Sequence, residues 1–283
     1  MSIRSNVFIG EVVLSFLTYN KSENQKIMKS AFKKEKEKEL QQFSIDKVEL
    51  ITEKLIQHFP EAIQNYLKVC GYLNKLMPMN ADVIWNENYF RGKPDSPWES
   101  LEALQFSSVD PIMRCMYVKL KNKPVSGKDS YKDQQGLLQK RLFNVFPLSN
   151  ASGKYVTQSE QINVFSEFML IPGYLFQPYV WWDSINSNKV NGTFTDERLR
   201  VKGIFHFNNE GLFTRFESND RFYYKNGKFA KTPFSTIVES YKKQDGLLIP
   251  EKVRAVWHLI KGDFEFFNGT IDRIDFNISN SNL

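Results

Sequence analysis

Glu160 and Glu167 are the residues of this sequence best spaced to do chemistry. They stand seven apart in a segment of helical periodicity, which puts both carboxylates near one helix face. Such a pair can divide acid–base work, one protonated and one ionised, as in glycoside hydrolysis. Structural roles compete with that reading. Glu160 ends Thr157-Gln158-Ser159-Glu160, a capping box in which hydroxyl and carboxylate satisfy free backbone donors at a helix start. Glu167 stands among Phe165, Phe168 and Met169. A partly buried carboxylate there needs a basic partner, for which Arg221 is the candidate. The enzymatic alternative sets Glu167 with Arg221 or Tyr131 on a small substrate.

The remaining chemistry is sparse. Cys70 and Cys115 are too few and too far apart for a disulfide framework or a zinc pattern, and read as small buried hydrophobes. The histidines are His58, His206 and His258, and none forms a motif with either cysteine. There is no glycine-rich phosphate loop, nucleophile elbow or His-Glu-x-x-His. No metal or cofactor is expected. Trp85, Trp98, Trp181, Trp182 and Trp257 either pack a core or line an apolar cavity.

The net charge of +6 is uneven. From Arg114 to Lys154 there are nine Lys/Arg against only Asp129 and Asp133. Such a segment can bind an anionic surface. Within it, residues 115–121 alternate apolar and basic with period two, which equally describes a solvated sheet face. No nucleic-acid partner is expected.

The elements that must position these residues follow from periodicity. A helix is expected over Lys21–Gln42, where Lys33 to Glu39 alternates in sign and places opposite charges three apart. A second is expected from about Ile45 to His58. A third opens at Phe59-Pro60-Glu61 and stops at Gly71. Beyond Pro78 the pattern becomes that of antiparallel strands: Ala81–Arg91, Leu101–Ser107, Met113–Leu120, Val125–Tyr131 and Gly136–Phe143. One helix, about 157–170, interrupts them. Asn226-Gly227 marks a tight hairpin. The stretch from Tyr174 to Phe276 holds 21 of the 41 aromatic residues, as a half-buried sheet favours. The expected fold is α+β, a large curved antiparallel sheet (half-barrel) over 80–278, packed on a helical segment within 1–75 and the inserted helix. No linker or repeat divides it, so one domain is expected.

Val7 to Tyr19 is apolar but interrupted by Gly10-Glu11 and shorter than the roughly 20 residues that span a bilayer. With no small-residue cleavage site after it, a buried or interfacial helix and a cytoplasmic location are the expectation. Peripheral membrane contact stays open.

Several segments together resemble a bacterial domain-of-unknown-function family. They are Phe59-Pro60-Glu61 through Tyr66-Leu67 and Gly71; Arg91-Gly92; Trp98 with Gln105-Phe106; Gly127 to Tyr131; Glu160 with Ser166-Glu167 and Pro172; Trp181-Trp182; Asp220-Arg221; Gly246 with Ile249-Pro250; and Val256-Trp257. The resemblance runs in order over roughly residues 59 to 278. It implies a curved antiparallel sheet wrapped on helices, similar to periplasmic lipoprotein carriers. It carries over Gln105, Asp129, Tyr131, Glu160, Glu167, Arg221 and Trp257 as matching positions without assigning them a role. With Trp182 from the tryptophan set, Gln105, Tyr131, Glu160, Glu167, Arg221 and Trp257 are the ligand-binding candidates. The expected function is a non-catalytic binding module for an apolar or lipid-like ligand. The oligomeric state is open.

Overall fold

The computed structural model describes residues 26–144, 146–225 and 227–279. The apolar run Val7–Tyr19 and the hairpin residue Asn226 lie outside the described residues. Among the described residues three α-helices come before the sheet: α1 (Lys26–Leu40), the single turn α2 (Glu53–Ile56) and α3 (Glu61–Val69). The helix expected over Ile45–His58 is not continuous. Leu50 bridges Leu76, and the Ile51 backbone exchanges hydrogen bonds with Asn74 and Lys75, so this stretch is extended. Only a 3₁₀ turn (Ile45–Lys47) and α2, capped by Thr52, remain helical. Gly71, at φ +81°, stops α3 in the left-handed conformation that costs glycine least.

Fifteen strands follow among the described residues. The first six are β1 (Asn80–Phe90), β2 (Glu99–Ser108), β3 (Met113–Leu120), β4 (Val125–Lys132), β5 (Gln135–Leu142) and β6 (Phe146–Ala151). Helix α4 (Lys154–Ser166) and a 3₁₀ turn (Pro172–Phe176) come next. The rest are β7 (Val180–Asn186), β8 (Lys189–Asp196), β9 (Leu199–Phe207), β10 (Phe213–Ser218), β11 (Phe222–Lys225), β12 (Lys228–Lys231), β13 (Phe234–Gln244), β14 (Leu247–Leu259) and β15 (Gly262–Phe276). Thirteen form one antiparallel sheet in the order β6-β5-β4-β3-β2-β1-β15-β14-β13-β10-β9-β8-β7, while β11 and β12 pair as a separate hairpin. The sheet is curved but does not close, since β6 and β7 are its edges. It is therefore a half-barrel in an α+β protein.

The order explains the curvature's contents. The chain runs outward through β1 to β6, crosses through α4, and returns from the far edge to meet its own start at β1–β15. Helix α4 contacts β4 and β5 on one arm, β9 and β10 on the other, and β11 of the separate hairpin, so it fills the concave side. It begins a turn earlier than the capping box predicts, at Gly153. Thr157 Oγ1 accepts instead from the Gly136 N–H of β5, which leaves Glu160 in mid-helix.

Aromatic side chains from the return arm pack beneath α4. Phe165 meets Phe194, Phe205 and Phe216 at centroid separations of 5.7, 5.2 and 5.3 Å. Gly192 on β8 makes this packing feasible, because a Cβ there would lie 2.7 Å from the Phe165 ring. The outer face of β2–β4 is covered separately by α1. Met28, Phe32 and Leu40 cluster with Phe106, Met113, Cys115 and Tyr117. Helix α1 is thus a docked helix as well as a charged one: Lys36 pairs with Asp82, Glu35 with Lys128, and Glu39 with Lys132. Those pairs also divide the basic run between faces, since Arg114 points to the concave side and Lys128 and Lys132 reach α1. No described helix is long and apolar enough to cross a membrane.

Candidate functional site

Period-two alternation gives each strand one set of side chains on the concave face. On β3 that set is Arg114, Met116, Val118 and Leu120, and on β14 it is Val253, Ala255 and Trp257. Together with Phe234 and Val238 of β13 and Phe264 and Phe266 of β15, they line a cavity of about 510 Å³. The cavity lies between the sheet and α4 and reaches solvent near the exposed residues Gly92 and Lys140. Its walls are mostly apolar.

Its floor is charged. Helix α4 presents Glu160 and Asn163 at its middle and Glu167 at its end, a spacing of three and four that keeps them on one face. Arg114 Nε donates to both oxygens of Glu167 at 2.9 Å. Its Nη1 donates to Asp129 at 3.2 Å and lies 3.9 Å from Glu160. Gln105 donates to Glu167 at 2.7 Å and accepts from Trp85 Nε1 at 3.2 Å. Asn163 donates to Glu160 at 3.0 Å. The arrangement follows from register: Met116 pairs with both Gln105 and Asp129, so Arg114 lies diagonal to each.

These groups perturb one another strongly. Burial pushes the Glu160 carboxyl up to about 8, with Asp129 adding to the shift and Arg114 and Arg221 opposing it. Burial also raises Glu167, against the charge and hydrogen bonds of Arg114. Burial works against the Arg114 charge, yet Glu167, Asp129 and Glu160 outweigh it and hold this guanidinium above its ordinary value.

Arg221 differs from Arg114. It immediately precedes β11 and enters the cavity from the hairpin side. Its guanidinium stacks on Phe234, Trp257 and Phe266 at 4.1, 4.8 and 5.5 Å. Its Nε and Nη1 are buried and have no hydrogen-bond partner among the described residues. Burial lowers it to about 10, offset only in part by Glu160.

Of the sequence-derived candidates, Gln105, Glu160, Glu167, Arg221 and Trp257 come together in this cavity. Tyr131 and Trp182 do not line it. Tyr131 shares the concave face as register partner of Arg114, but its hydroxyl donates to Asp196 of β8 at 2.6 Å, tying the two arms. Trp182 packs 5.2 Å from Phe205 and donates to the Leu175 carbonyl, so it belongs to the aromatic core. The expected Glu167–Arg221 pair is replaced by Glu167–Arg114, because β3 brings Arg114 beneath the end of α4. Arg114 itself escaped the sequence reading. The signal was its place at the head of the alternating series Arg114, Met116, Val118, Leu120.

A second constellation lies on the outer face. Ser235 Oγ is 2.7 Å from His258 Nε2, and His258 Nδ1 is 2.7 Å from Asp263. The roles resemble a nucleophile–base–orienter triad. Ser235, however, is fully buried and accepts from Arg215 Nε and Nη2 at 3.2 and 3.0 Å. Its neighbours Phe234 and Thr236 line the cavity, so Ser235 points away from it. A nucleophile needs access, and this serine has none. The network joins β10, β13, β14 and β15. Among the described residues no group of three or more His, Cys, Asp or Glu is placed to hold a metal ion.

Solved structures similar to this chain at low identity include the following two. One is a LolA superfamily protein from Nitrosomonas europaea, 12% identical, with a TM-score of 0.40, covering 76% of this chain and 93% of its own. The other is a DUF1329 family protein from Desulfovibrio piger, 9% identical, with a TM-score of 0.39, covering 77% and 91%. No curated protein matches the sequence. Residues 49–269, most of the chain and all of the cavity floor, match the family of unknown function DUF6544, and the chain belongs to that family.

Proposed function

We propose that this protein is a non-catalytic binding module that holds an apolar or lipid-like ligand between the concave sheet and α4. The observation that carries the reading is the cavity of about 510 Å³ walled by Met116, Val118, Val253, Trp257 and their neighbours. Binding pockets occupy roughly 300–1,000 Å³ and combine apolar walls with a few convergent polar groups. Taking an apolar ligand from water onto such walls is favourable by about 25 cal/mol per Å² buried. Catalysis by Glu167 has weaker support, since Arg114 and Gln105 already engage both its oxygens.

The test is direct. Organic extraction of the purified protein followed by mass spectrometry is expected to recover an apolar or lipid-like molecule in stoichiometric amount. The emptied protein is expected to bind the neutral fluorophore N-phenyl-1-naphthylamine saturably. An extract without such a molecule, together with no saturable fluorophore binding, overturns the proposal.

A further inference from the structure

We infer that the ligand carries a single carboxylate head, which docks on the Arg221 guanidinium while its apolar part lies along the cavity walls; the inference rests on the binding function proposed above. The floor holds two guanidinium groups and three carboxyl groups, but they are not shared evenly. Arg114 takes Glu167 and Asp129 in direct hydrogen bonds and stands 3.9 Å from Glu160. Glu160 is engaged by Asn163. Arg221 is left with buried Nε and Nη1 donors that have no acceptor among the described residues.

A buried donor on a charged group is costly to leave unmet. The rings of Phe234, Trp257 and Phe266 offset part of the charge through their faces, but a ring face does not replace an in-plane acceptor for the guanidinium edge. Nη2 shares one edge of the fork with Nε and the other with Nη1, and a planar anion such as a carboxylate accepts two parallel N–H bonds along either edge. The three rings and Arg221 all line the same cavity, so an anion on Arg221 continues into apolar space.

The neighbours limit the head to one charge. Asp129, Glu160 and Glu167 line the same cavity and their charges act on Arg221, and like charges there oppose a second negative charge. Glu160 contributes differently when protonated, because its O–H can then donate to the incoming carboxylate. A neutral head would leave Arg221 unmet, and a dianionic phosphate would repel the floor.

Competition against bound N-phenyl-1-naphthylamine separates the cases, with palmitate, hexadecanol and hexadecyl phosphate as competitors of equal chain length. Palmitate is expected to displace the fluorophore at about a tenfold or greater lower concentration than hexadecanol. Arg221→Met keeps the side-chain length and removes the fork. In that variant palmitate is expected to weaken to the level of hexadecanol, with both potencies corrected for the fluorophore affinity measured on the variant itself. Equal potency of palmitate and hexadecanol on the wild-type protein overturns the inference and leaves the apolar cavity standing. So does a palmitate preference that survives Arg221→Met. Hexadecyl phosphate outcompeting palmitate overturns the single-charge assignment. Failure of the neutral fluorophore to bind the wild-type protein removes the underlying binding function instead. Should Arg221→Met fail to fold, the palmitate-to-hexadecanol ratio on the wild-type chain decides alone.

Discussion

Arg114 is placed among three carboxyl groups and can satisfy only two of them by hydrogen bonds. Glu160 is the one left over, and burial pushes its carboxyl up to about 8. In an unfolded chain the same group releases its proton at the ordinary Glu value of about 4.3. Between those values the folded state binds more protons than the unfolded state, so stability falls as pH rises. Thermal unfolding of the wild-type protein is therefore expected to shift to lower temperature from about pH 5 to about pH 8. Glu160→Gln keeps the volume and has no proton to lose, so its midpoint is expected to fall less steeply over that range. Glu167 is raised in the same direction and remains in both proteins, so the difference between the two slopes belongs to Glu160. Parallel slopes would refute the assignment. Glu160 and Glu167 were legible in the sequence as a pair on one helix face, because helical spacing is local. The identity of their partner was not, since Arg114 lies 53 residues from Glu167.

Helix α4 is the element that makes a site out of a sheet. One face carries Glu160, Asn163 and Glu167 into the cavity, and another carries Phe165 into the aromatic core. The Phe165 ring touches Phe168, Trp182, Phe194, Phe205 and Phe216. Phe165→Ala is expected to cost about 3–5 kcal/mol, measured by denaturant unfolding, because five rigid rings cannot collapse into the space left. A loss under about 1 kcal/mol would mean that α4 is not anchored there. The capping box at Thr157 shows how an element can mislead. Its residues satisfy the local rule, but docking on β5 recruits the Thr157 hydroxyl and starts the helix a turn earlier. The stretch from Ile45 to His58 fails for the same kind of reason: pairing with residues 74–77 outweighs its helical spacing.

Across the whole molecule, the two arms of the sheet meet at β1 and β15. The strand nearest the C-terminus is therefore in the middle of the sheet, between β1 and β14. A chain ending before Gly262 is expected to lose the cooperative unfolding transition altogether, because both neighbouring strands would expose a full row of unpaired backbone groups. Circular dichroism during thermal unfolding checks this, and a retained sharp transition would show that the arms fold separately. The strands themselves were legible, β1 to β5 nearly to the residue, since alternation and turn residues are written in neighbouring positions. The aromatic concentration from Tyr174 to Phe276 likewise announced a sheet. Only the tertiary structure decided which face of each strand meets α1, which meets α4 and which is left to line a cavity. It also decided that Tyr131 and Trp182 serve the scaffold, while Arg114 and Arg221 divide the floor between a satisfied and an unsatisfied guanidinium. Period and propensity act between neighbours, whereas those assignments depend on pairings such as Gln105 with Glu167, 62 residues apart, that exist only once the sheet has curved around its helix.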